Sequence, residues 1–193
     1  QAVQANLDQF TQDAVDIAKQ LHAQNPALYD SFGRSPANML SLVREDGALD
    51  LYDGVIRARD ASGAILFDGA SDQGYLDLIE EDVKPWTYMK FPFLRSLGRE
   101  QGWYRVGPLA RLQNCDFIPS PRAEAARQAF RANSGGLIVH APLAFHWARM
   151  IELLHATEKI DELLHDSDLQ GTDLVVSGPR RSEGVAIIEA PRG

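Results

Sequence analysis

The chain carries five histidines and one cysteine, and its reactive residues are best judged by spacing. Glu152-Leu-Leu-His155 has the Glu-x-x-His step that sets a carboxylate and an imidazole on one helical face, as in di-iron bundles. Such a centre needs a second Glu-x-x-His and two further glutamates. Asp161 to Asp168 do not supply them, so the pair reads as helix surface. His140, His146 and His155 could join Ser134 or Cys115 in a nucleophilic set, but no Gly-x-Ser-x-Gly elbow orders them. No His-Glu-x-x-His, Gly-x-x-x-x-Gly-Lys-Ser/Thr or Gly-x-Gly-x-x-Gly occurs, which removes the zincin and phosphate-cradle readings. Cys115 is alone, so no intrachain disulfide forms and no cysteine pair clasps a metal. In "LQNCDFIPSP" it reads as a buried, inert thiol. Arg149 and Glu152, one turn apart, are expected to form an internal pair. Two motifs are left over, "GPLAR" (107–111) and "EAPRG" (189–193), each in isolation a turn with a basic residue.

The elements that position these residues follow from periodicity. Leu7, Phe10, Ala14, Ile17, Ala18 and Leu21 recur at three- and four-residue steps and predict a helix over 4–24. Asn25-Pro26 ends it and starts another helical turn, closed by Gly33, so 4–33 is helical. From Asn38 the period changes. "NMLSLVRED", "ALDLYDG", "VIRARD" and "AILFDG" are short runs parted by Asp46-Gly47, Asp53-Gly54 and Ser62-Gly63, which predicts an antiparallel β-meander over 38–70. "YLDLIEEDV" reads as a short helix. Residues 84–121 resist periodic assignment. They are rich in Trp, Tyr, Phe, Pro and Gly, and must be covered by a core of their own or by a larger protein.

Ser120-Pro121 predicts an N-terminal cap for a helix over 120–132, and the longest helix is expected over roughly 143–166. Residues 72–170 are thus expected to be irregular and helical, with 173–193 returning as strands through "DLVVSG" and "GVAIIEAP". Groups of helices beside antiparallel strands define an α+β class: long helices packed on a small meander.

Composition narrows the function. Apolar residues make up 45% and the net charge is −8, which argues against a nucleic-acid binder. No apolar run approaches the ~18–20 residues that cross a bilayer. The first residues have neither the basic start nor the apolar core of a signal peptide, so a cytoplasmic, reducing location is expected.

In order, "YMKFPF", "GWYRVGPLARLQNCDFIPSP", "HWARMIELLHATEKI" and "EGVAIIEAPRG" resemble the large subunit of nickel–iron hydrogenases, most nearly the cytoplasmic, NAD-reducing, bidirectional group. The resemblance implies that the chain is the central segment of a larger, mainly helical subunit. The family's two Cys-x-x-Cys motifs are missing, so the chain alone is expected to hold no cofactor and to be inactive. In the intact subunit the resemblance implies a nickel–iron centre with carbon monoxide and cyanide ligands. It gives Arg192 the place of the catalytic arginine over the open face of the metals, and Pro191 the place of a proline lining the diatomic-ligand pocket. Arg111 and Arg149 are kept as structural residues. The implied partners are an iron–sulfur small subunit, a flavin-containing NAD-reducing module and the rest of the large subunit. The alternative is a non-catalytic interaction or scaffold domain derived from that subunit. A third class, a small-molecule-binding α+β domain, has only the aromatic stretch 84–104 in its favour.

Overall fold

The computed structural model describes residues 2–188. Helix α1 (Ala2–Gln24) is followed by α2 (Pro26–Ser31), whose start is fixed locally. Pro26 occupies the first turn, where its missing N–H costs nothing, and the Asn25 side chain accepts from the Leu28 N–H at 3.2 Å. Thr11 and Val15 form the buried line of α1. Much of the apolar stripe read from the sequence is not covered: Phe10, Ile17 and Leu21 remain exposed.

The meander forms as expected from β1 (Asn38–Val43), β2 (Val55–Arg59) and β3 (Ile65–Ala70), paired antiparallel. The β2–β3 turn is built around Asp60, whose carboxylate accepts from the Ser62 and Ala64 N–H groups at 2.8 and 2.9 Å. Gly63 supplies the positive φ of 97° that this turn needs. "ALDLYDG" is not a strand. Leu49 enters the core, but Leu51 and Tyr52 are exposed, because Asp50 draws the Tyr52 and Asp53 N–H groups into a local turn.

"YLDLIEEDV" is corrected as well. Only α3 (Tyr75–Leu78) is helical, and β4 (Ile79–Val83) pairs with β5 (Lys90–Leu94) as a separate antiparallel hairpin. After α4 (Gly98–Gln101), β6 (Tyr104–Arg105) joins β1 in parallel, giving the sheet order β3-β2-β1-β6. The region expected to be irregular and helical therefore also holds three short strands. Then come α5 (Pro108–Asn114), α6 (Pro121–Asn133) and α7 (Ala144–Leu164).

Strand β1 lies inside the four-stranded sheet and is buried along nearly its whole length, which explains its almost unbroken apolar run. Val43 faces the larger core, with Leu109 and Leu112 of α5, Phe130 of α6 and Trp147, Ile151 and Leu154 of α7. Leu40 faces the second core, formed with Ile56, Ala58 and Leu94 and flanked by Leu78 and Ile79. Helices cover one face of the sheet and the β4–β5 hairpin the other.

The expected returning strands do not form over residues 173–188, which carry no regular structure. Val176 and Ile188 are exposed, and only Ile187 packs, against the second core. A run of Val and Ile fits a pleated, half-buried surface, but within the described structure this run pairs with no strand. The terminal Glu189–Gly193 lies outside the described residues.

Candidate functional site

"GPLAR" is more than a surface turn. Gly107 has φ 88°, a conformation suited to glycine, and Pro108 opens α5. Leu109, Ala110 and Leu112 are fully enclosed, so α5 forms a buried layer between sheet and α7. This packing carries Arg111 to the inner face of α7. Its Nε and Nη2 donate to Glu152 Oε1 and Oε2 at 2.6 and 2.8 Å. The two side chains keep only 16% and 9% of their exposure. Such a two-pronged pair suits the planar guanidinium and joins two elements distant in sequence.

The expected Arg149–Glu152 pair is thereby corrected. Arg149 is exposed, and Glu152 turns inward to Arg111. The reading of Glu152 and His155 as helix surface also fails, since both are buried. They have separate partners: Ser120 Oγ lies 2.7 Å from His155 Nδ1. Burial pushes His155 below its ordinary pKa, with Lys159 adding to the effect, so the ring is neutral at pH 7. Ser120 therefore does not cap α6 with its side chain. Glu158 of α7 takes that role, its carboxylate accepting from the Arg122 and Ala123 N–H groups at 3.1 and 2.9 Å.

No nucleophilic set is assembled by the other candidates. His140 contacts the Ala61 carbonyl at 2.8 Å through Nε2, and the Ser134 hydroxyl donates to the Arg131 and Leu137 carbonyls. Cys115 is buried, and loss of solvation pushes its thiol up to about 12. It is inert in the folded chain, as expected. Among the described residues no group of three or more His, Cys, Asp or Glu side chains is placed to hold a metal ion.

Two features escaped the sequence reading. One is a groove of about 1100 Å³ between α1, α2 and the start of α7, lined by Phe10, Ile17, Leu21, Tyr29, Trp147 and Met150. The other is a polar network around Arg57, which forks onto Asp68 at 2.9 and 2.8 Å and reaches Asp116 at 3.0 Å. Alternation in "VIRARD" was the available signal, because Arg57 and Arg59 must share one face of a strand. Pro191 and Arg192 lie outside the described residues.

Comparison with known proteins shows what this architecture is similar to: the relatives found are hydrogenase subunits. It is 42% identical over 189 residues to the NAD-reducing hydrogenase HoxS subunit beta of Cupriavidus necator, covering 95% of this chain and 38% of that protein. It is 37% identical over 188 residues to a subunit of the F420-non-reducing hydrogenase of Methanothermobacter thermautotrophicus, covering 96% and 39%. In structure it matches a chain of an NAD+-reducing nickel–iron hydrogenase in the H2-reduced state with a TM-score of 0.91 at 45% identity, covering 100% of this chain and 43% of that one. The chain thus spans about two fifths of the length of these relatives. No protein-family profile matches it. No described helix is long and apolar enough to cross a membrane.

Proposed function

We propose that this chain is the central part of the large, catalytic subunit of a nickel–iron hydrogenase, in an enzyme that couples hydrogen oxidation or evolution to NAD(H). The observation that carries this reading is the TM-score of 0.91 over the entire chain at 45% identity to the NAD+-reducing enzyme. The surface supports it physically. Phe10, Ile17, Trp86, Tyr88 and Trp103 are more than half exposed, and an apolar groove runs beside α1. Faces of this kind call for cover by further protein, here the rest of the large subunit and an iron–sulfur small subunit. A flavin-containing module would complete electron transfer to NAD in the cytoplasm.

The residues of this chain do not fit a nickel–iron centre on their own. Thiolates hold nickel and iron in such sites, and the single cysteine is buried and protonated. The metal ligands belong to other parts of the large subunit, and the isolated chain is inactive. The contribution of this chain is Arg192, a permanently charged donor fork beside that centre, with Pro191 as an apolar wall that offers no donor.

The test is made in the assembled enzyme. Arg192→Lys is expected to lower hydrogen-dependent NAD reduction at least about tenfold, the scale of one lost charge-assisted contact, with nickel and iron content retained. Unchanged turnover would remove the assigned role. Infrared bands of iron-bound carbonyl and cyanide on the isolated chain would overturn the division of labour.

A further inference from the structure

A second site lies on the far side of the sheet from the hairpin, where the end of β2 meets the C-terminal end of α6. Its starting point is an imbalance among arginines. Arg57 is well satisfied: Asp68 takes its Nε and Nη2, while the Asn114 carbonyl and Asp116 take Nη1. Arg59 is not. Its Nη1 donates to the Gly63 carbonyl at 3.1 Å, its Nη2 reaches Asn114 O and Asp116 Oδ1 only at 3.4 Å, and its Nε is buried without an acceptor. Arg131, near enough to act on the charge of Arg59, has no carboxylate partner among the described residues.

Three guanidinium groups, Arg57, Arg59 and Arg131, therefore face two carboxylates, Asp68 and Asp116. The local excess is one positive charge, in a chain whose net charge is −8. Burial, and then the like charge of Arg57, push the pKa of Arg59 down, against the opposing charge of Asp116. Between these groups lies a cavity of about 270 Å³, lined by Arg59, Ser62, Asp116 and Arg131 together with Gly63 and Gly136. Guanidinium groups meet oxyanions through paired, charge-assisted hydrogen bonds.

We propose that this pocket binds a small oxyanion group, phosphate or carboxylate, held between Arg59 and Arg131. An anion there offsets the excess charge of the Arg59 and Arg131 guanidinium groups that line the cavity. It also ties the β2–β3 turn to the C-terminal end of α6.

Calorimetric titration of the full chain with inorganic phosphate, and separately with acetate, at ionic strength held constant with chloride, tests the assignment. Saturable one-to-one binding of either anion is expected, weakened at least about tenfold by Arg131→Gln, which removes about 1.4 kcal/mol. Arg131 is exposed, so this variant retains the fold, and Arg59→Gln should lose binding altogether. Phosphate binding without acetate binding identifies a tetrahedral group, and comparable binding of both identifies a carboxylate-sized one. Absence of saturable binding, or equal binding by wild type and Arg131→Gln, overturns the proposal.

Discussion

Arg111 and Glu152 stand 41 positions apart and meet through two parallel hydrogen bonds of 2.6 and 2.8 Å. The pair fastens the buried helix α5 to the long helix α7. Removing one partner of a largely buried ion pair costs about 3–5 kcal/mol. Glu152→Ala should therefore lower the urea midpoint severely, whereas Arg149→Ala, on the exposed face, should stay within about 0.5 kcal/mol of wild type. Equal effects of the two changes would refute the pairing.

Cys115 offers a simple probe of core integrity. With its thiol pushed up to about 12 and its side chain buried, almost no thiolate exists at pH 8. Iodoacetamide should leave the folded chain unlabelled and modify it only after denaturant is added. Rapid alkylation under native conditions would contradict the packing described for α5.

Acid should weaken the fold in two stages. His140 and His155 are held below the ordinary 6.5, chiefly by burial, so the unfolded chain takes up protons first. Their contribution is complete above about 6.5 and declines as pH falls below it. The Asp68 carboxyl is held below 3.8 by its hydrogen bonds to Arg57, and that of Asp46 is lowered to about 2 by Arg44. Their contribution is present above 3.8 and fades as pH falls through the lower folded values. His155→Asn should flatten only the first stage and Asp68→Asn only the second, in urea midpoints measured across pH. A single acid transition untouched by His155→Asn would refute the first stage.

Gly102 is irreplaceable for space. A Cβ there would sit 2.6 Å from the carbonyl oxygens of both Gly98 and Leu94, and 2.9 Å from the Leu94 nitrogen. The obstacle is backbone, which cannot swing aside as a side chain would. Gly102→Ala should cost about 1–3 kcal/mol, read as a lower thermal midpoint, and an unchanged midpoint would show that α4 and β5 separate freely.

The long helices α1 and α7 and most of the meander were legible in the sequence because each has its own period, whereas α5 lies in the stretch 84–121 that shows none. Alternation fails at Leu51, where Asp50 captures backbone donors, and at Ile79–Val83, where the hairpin outweighs a helical start. The inward turn of Glu152 and His155 was hidden for another reason: polar residues on a helix look solvated until their partners are known, and Arg111 and Ser120 lie far away in sequence. The likeness of Val185–Ile188 to a strand reflected β propensity alone, which needs a neighbouring strand to take effect.

Glu158 belongs to α7 yet receives the leading N–H groups of α6, Arg122 and Ala123. One helix thus supplies the other's missing terminus, so the pair should open to solvent as a single cooperative unit rather than by fraying of α6 alone. In deuterium exchange, the amides of Arg122 and Ala123 would share the protection of the α7 core at Ile151, and Glu158→Ala would uncouple the two.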